Sequence, residues 1–126
     1  GVKAALDMIT SGNPVAAPKA HIMGLIDAVL DGDDLLSASV RYAMDLIESG
    51  APLKRIRDIN IDSKELEADF FENARKKLAR RARGQIAQDR IVSCIEAAVE
   101  LPIDEGLERE RELFLELVTS PESAAM

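Results

Sequence analysis

Several kinds of residue are scarce in this sequence, and each scarcity closes off some chemistry. His21 is the single histidine, so a multi-histidine zinc site is excluded and a Ser-His-Asp triad would have no second candidate base. Cys94 is the single cysteine, so no intrachain disulfide can form and a reducing compartment is the default expectation. Tryptophan is absent, and Tyr42, Phe70, Phe71 and Phe114 are the only aromatic residues. The apolar content is otherwise Ala, Leu, Ile and Val, which suits helices in thin contact better than a large β-sandwich. No apolar run approaches bilayer length, nothing resembles a signal peptide, and no glycine-rich phosphate loop is present. Positive charge is in deficit as well: the net charge of -7 argues against nucleic acid as a partner. The resulting expectation is a soluble, cytoplasmic-type domain of 126 residues with no membrane insertion.

What is present is helical periodicity. Val2, Ala5, Leu6 and Ile9 set a first helix over Val2–Thr10, already in phase at the first residue and stopped by Ser11-Gly12. A short second helix takes Pro18 in its first turn and Gly24 at its C-terminus. Leu25 to Leu30 reads as a brief extended segment closing on Asp31-Gly32. A third helix spans Asp33 to Ser49, with Leu36, Val40, Ala43, Met44 and Ile47 in one apolar stripe and Gly50 and Pro52 ending it. Leu53 to Ile61 alternates basic and apolar residues and reads as an extended connector between two halves.

The fourth helix is expected to start at Asp62, which has capping-box spacing to Glu65, with Ser63 as an alternative cap. Leu66, Phe70, Ala74, Leu78 and Ala82 line one face, and Gly84 stops it. A fifth helix over Gln85–Glu100 places Ala87, Ile91, Cys94, Ile95 and Ala98 on one side. Pro102 starts a sixth, which is expected to bury Leu107, Phe114, Leu117 and Val118 and to fade at Ser120-Pro121. The fold class expected is mostly α, with one or two short extended segments and a C-terminal half forming an up-down-up helical unit.

Residue chemistry offers no active site. His21 sits on a short helix without a partner, and Cys94 lies in an apolar stripe with no neighbouring base, so both read as structural. Asp31, Asp33 and Asp34 lack the ligand order of a calcium loop and instead suit the first turn of the third helix. Lys76, Lys77, Arg80, Arg81 and Arg83 are the one basic concentration. They end a helix opened by Asp62, Glu65, Glu67, Asp69 and Glu72, so the gradient matches the helix dipole and reads as a solvated face. A phosphate or CoA contact through Lys76 to Arg83 is the alternative. Glu105, Glu108, Glu110, Glu112 and Glu116 alternate with Arg109 and Arg111 as the exposed face of the sixth helix. Catalytic, cofactor-binding and metal-ligating residues are therefore all expected to be none.

The order of residues carries more than their chemistry. Ala4-Ala5-Leu6-Asp7-Met8-Ile9-Thr10-Ser11-Gly12, then Pro14, Ala17, Ala20 and Gly24-Leu25-Ile26-Asp27, resembles the enoyl-CoA hydratase (crotonase) superfamily in the part after its catalytic core. Further along come Phe70-Phe71-Glu72-Asn73-Ala74-Arg75, Cys94-Ile95-Glu96-Ala97-Ala98-Val99, and Leu101-Pro102-Ile103-Asp104-Glu105-Gly106-Leu107-Glu108-Arg109-Glu110. With Phe114 and Ser120-Pro121, these look like the linker of multifunctional β-oxidation proteins, which join an enoyl-CoA hydratase to an NAD-dependent 3-hydroxyacyl-CoA dehydrogenase. The Gly106 to Glu110 stretch is the most specific part.

That resemblance implies a division into residues 1–52, the C-terminal helices of a crotonase-like domain, 53–61, a connector, and 62–126, helices preceding a dehydrogenase domain. It implies that the oxyanion-hole amides and catalytic glutamates precede Gly1 and that the dinucleotide-binding turn follows Met126. The chain itself is expected to hold no cofactor and to be inactive, while the parent uses acyl-CoA substrates and NAD. A self-contained helical interaction module is the alternative. Apolar stripes such as Leu36-Val40-Met44-Ile47, lacking a β-core to cover them, lead to the expectation of a homodimer or swapped assembly.

Overall fold

The computed structural model describes residues 1–32, 34–64, 66–82 and 86–124. It contains α1 (Val2–Ser11), α2 (Ala17–Ile22), α3 (Leu35–Glu48), α4 (Phe70–Ala82), α5 (Ile86–Glu100), α6 (Ile103–Val118) and the single-turn α7 (Pro121–Ala124). There is no β-strand among the described residues, as the apolar periodicity predicts. The chain divides into two compact units: Gly1–Asn13 with Asn60–Met126, and Pro14–Ile59.

Glycines set the helix ends where the backbone must turn left-handed. Gly12 (φ 64°) closes α1 with its N–H donating to Met8 O at 3.0 Å. Gly24 and Gly50 (φ 74° and 63°) each sit one residue past a helix cap. There the paired bonds Gly24 N to His21 O and Leu25 N to Ala20 O, and Gly50 N to Ile47 O and Ala51 N to Leu46 O, satisfy the last carbonyls of α2 and α3. A side chain at these positions would have to adopt a conformation that L-residues rarely take.

The start of α4 differs from the expectation. The helix begins at Phe70, not at Asp62; the Asp62 carboxylate does accept the N–H of Lys64 two residues on (3.0 Å), but this closes only a local turn. Further turns follow, Leu66 N to Ser63 O and Phe70 N to Glu67 O, before Asp69 O accepts the first helical bond from Asn73 N at 2.9 Å. The proposed partner Glu65, the stop at Gly84, the start at Gln85, and the side chains of Arg81, Ala82 and Arg83 lie outside the described residues. So does Asp33. Its neighbour Asp34 is the N-cap of α3 rather than part of its first turn, accepting the Ser37 N–H (3.1 Å) and the Ser37 hydroxyl. The connector is extended except for a 3-10 turn at Ile56–Asp58.

In the unit containing both chain ends, α5 packs against α1, α4 and α6, and α6 carries α7. Val92 has no accessible surface, Ile95 and Ala97 are buried beside it, and Leu113 from α6 is 1% exposed. Gly106 faces α5: a Cβ there would lie 3.7 Å from the carbonyl oxygen of Ala97, in ordinary van der Waals contact. The α6 face is rotated from the expected phase, and the expected α5 face is only part of what that helix buries. On α5 Ile95 is buried as expected and Ala87, Ile91 and Cys94 are half-buried, but Val92 and Ala97, on other sides of the helix, are buried too, and Ala98 is exposed. On α6 the buried side runs through Gly106, Leu113 and Leu117, continuing to Ser120 just past the helix end; of the expected residues Leu117 is on it, while Leu107, Phe114 and Val118 face solvent. α6 carries two apolar stripes, and Gly106 lies on the inward one with Leu113 and Leu117.

In the unit Pro14–Ile59 the buried residues are Ala20 and Ala38. The α3 stripe is open, with Leu36 76% and Ile47 71% exposed and Val40 and Met44 exposed between them. A Lys54–Asp27 ion pair joins the connector to the segment after α2 and raises the lysine above its usual range, first by hydrogen bonding and then by charge.

The rotated α6 face makes a direct prediction. Leu113→Ala should lose about 2–5 kcal/mol of stability, whereas Phe114→Ala should change it by less than about 0.5 kcal/mol, both read from urea denaturation. The opposite order would restore the sequence-based phase.

Candidate functional site

The residues singled out by sequence do not converge. His21 is exposed on α2, with Nδ1 3.3 Å from the Ile26 carbonyl oxygen. Cys94 is half-buried; burial foremost, then the charge of Glu110, pushes its thiol up, while Arg109 opposes. Little thiolate is then available at neutral pH. Asp31 and Asp34 are exposed. No group of three or more His, Cys, Asp or Glu with metal-binding geometry occurs among the described residues. Of the basic series, Lys76 pairs with Glu72 one turn back, and Lys77 and Arg80 are exposed. Among the α6 charges, Arg109 pairs with Glu112 at 2.8 Å.

The most organised polar arrangement is one that residue-by-residue reading missed. Asp89, Ser93 and Glu96 lie at spacings of four and three on α5 and so share one stripe. Arg75 of α4 reaches all three: Nη1 donates to Glu96 Oε1 (3.4 Å), Nη2 donates to Glu96 Oε2 and to Ser93 Oγ (3.2 Å), and Nε lies 3.3 Å from Asp89 Oδ1. Asp89 also accepts from Arg90 Nη1 at 3.0 Å, and Arg90 Nε donates to Glu116 Oε2 of α6 at 2.9 Å. The relay Glu96–Arg75–Asp89–Arg90–Glu116 thus ties α4, α5 and α6 together. The Glu96 hydrogen bond raises Arg75 above its already high range, with burial opposing and the charges of Glu96 and Asp89 reinforcing. The guanidinium fork is suited to such a bidentate contact. Near this relay Gln88 Oε1 is buried without a hydrogen-bond partner.

A second feature is a concavity. α1 and α4 both rest on α5, and between them lies a cleft of about 350 Å³. Leu6, Phe70, Ala74 and Leu78, all half-buried, contribute its apolar lining, and Lys3, Asp7 and Lys77 are its exposed charged residues.

These features belong to a chain with close relatives in sequence. Along its whole length it is 34% identical over 126 residues to the peroxisomal bifunctional enzyme of Homo sapiens, of which it covers 17%. It is 29% identical over 126 residues to the peroxisomal bifunctional enzyme of Danio rerio, again covering 17%. To the fatty acid oxidation complex subunit alpha of Shewanella frigidimarina it is 31% identical over 130 residues, covering 18%. The chain therefore spans less than a fifth of the length of these curated relatives, and it matches one segment of multifunctional fatty-acid oxidation proteins. No protein-family model matches it. No solved structure matches it either.

The relay predicts a measurable coupling. A double-mutant cycle of Arg75→Met and Glu96→Gln, followed by urea unfolding, should give an interaction of about 1 kcal/mol that weakens in high salt. A coupling of zero at low salt would remove the relay as a brace.

Proposed function

We propose that these residues are a structural segment of a multifunctional fatty-acid β-oxidation enzyme. The observation that carries this reading is the end-to-end match to both a bifunctional enzyme and a fatty acid oxidation complex subunit. In this proposal, residues 1–52 continue the crotonase-like hydratase domain, 53–61 connect, and 62–126 lead into the dehydrogenase domain. The parent hydrates 2-enoyl-CoA and oxidises the 3-hydroxyacyl-CoA product with NAD. The segment supplies no catalytic group and holds neither CoA nor NAD itself. Its contribution is mechanical: the Arg75 relay and the buried face of α5 keep α4, α5 and α6 in one arrangement.

Location follows the parent. No described helix is long and apolar enough to cross a membrane. The cytoplasmic expectation has no specific support, because some relatives are named as peroxisomal and others are bacterial.

The second reading, a helical interaction module, is favoured by the open α3 stripe, where Leu36 and Ile47 are more than two-thirds exposed. Apolar surface left in that state associates. We therefore propose that the isolated chain self-associates through it. The purified 126 residues should show neither crotonyl-CoA hydration nor NAD reduction with 3-hydroxybutyryl-CoA, and should sediment as a dimer. Turnover above buffer would overturn the structural assignment, and a monomer at all concentrations would overturn the self-association.

A further inference from the structure

We propose that the cleft between α1 and α4 binds a single-chain fatty carboxylate, its alkyl chain on the apolar floor and its head group at Lys3 and Lys77. This inference does not depend on the enzymatic reading above. It starts from the spacing of the lining. Phe70, Ala74 and Leu78 recur every four residues on α4, giving a floor about 12 Å long at the helical rise of 1.5 Å per residue. Leu6 of α1 faces the same space. All four side chains are half-buried, so the helices leave an apolar trough that they do not themselves fill. Its volume of about 350 Å³ falls within the range of small-molecule sites.

Charge selects the head group. The chain carries -7 overall, yet this rim has two lysines to one aspartate. The neighbouring Lys76 is engaged by Glu72, whereas neither Lys77 nor Lys3 takes part in an ion pair among the described residues. Lys3 and Asp7 have the i, i+4 spacing of a helical pair, but in the weaker order, with the cation N-terminal, and they do not close. Of the uncharged polar residues of the rim, the Thr10 hydroxyl donates to Leu6 O at 2.7 Å, and the Asn73 amide spends one of its two N–H donors on Asp69 Oδ2 at 2.8 Å. An anion entering the cleft would therefore meet the two ammonium groups as its charged donors. An apolar trough with cationic residues at its rim matches an amphiphile with an anionic head, and the modest net charge of the rim suits a monoanion.

The test titrates the full 126-residue chain with decanoate below its micelle concentration, followed by amide and methyl NMR shifts. Saturable binding should move resonances of Leu6, Phe70, Ala74 and Leu78 and leave those of α3 in place. Replacing both lysines, Lys3→Gln with Lys77→Gln, should weaken binding about five- to tenfold, while Arg80→Gln, on the same helix but off the cleft, should not. Both lysines are exposed, so the variants should keep their helices, which circular dichroism checks. Decyltrimethylammonium, with the same tail and the opposite charge, should not saturate. Equal affinity for the two head groups, shifts centred on α3, an unaffected double variant, or no saturation would each overturn the proposal. Decyl phosphate binding more than tenfold tighter than decanoate would also overturn the assignment of a carboxylate.

Discussion

Val92 loses all of its accessible surface because α1, α4 and α6 close around α5, the helix that carries it, and the rest of this unit depends on that enclosure. Large side chains are few: Val92 and Leu113 alone are almost completely buried among the described residues, each contributing about 1.5–3 kcal/mol relative to exposure. Small residues make up the rest of the seam: Gly106 of α6 faces the Ala97–Ala98 backbone of α5, where a Cβ would be in ordinary van der Waals contact. A thin core of this kind follows from a composition with four aromatic residues and no tryptophan.

Ion pairs supplement what the core lacks. Arg75 is only partly exposed and makes its contacts with a rigid planar group, so it holds α4 to α5 at a defined rotation, and Arg90 extends the hold to Glu116 of α6. An exposed lysine pair such as Lys76–Glu72 stays within one helix and fixes nothing between helices. The unit Pro14–Ile59 is organised differently. Its order comes from local devices: the Asp34 cap, the left-handed Gly24 and Gly50, and the Lys54–Asp27 pair. With Ala20 and Ala38 as its buried residues, it has little apolar burial of its own.

Local rules made the helix stops legible. Gly12, Gly24 and Gly50 occur where the chain must turn left-handed, and Pro102 precedes α6 as its N-cap. Faces were harder to read wherever a helix carried two apolar stripes. On α6, Phe114 and Val118 form one apolar stripe and Leu113 and Leu117 another, and the second is the one turned inward, on the side of Gly106. On α5, contact on several sides erases the single stripe that amphipathicity assumes. At the start of α4 the local signal misleads, because a carboxylate bonded to the N–H two residues on looks the same in an isolated turn as in a helix cap. The Arg75 relay had a sequence signal in Asp89, Ser93 and Glu96 on one stripe of α5. Its partner lies on another helix, and that pairing is fixed only by packing. The relation to fatty-acid oxidation proteins was carried by residue order, which physical chemistry alone does not generate.

The central claim is that stability is concentrated in α5 and shared by the helices that enclose it. Native-state hydrogen exchange measures this directly. The account predicts that the slowest amides cluster from Val92 to Ala97, that α4 and α6 amides exchange with free energies approaching theirs, and that Pro14–Ile59 exchanges much faster. Protection greatest in α3, or α5 amides exchanging as fast as those of the connector, would contradict it.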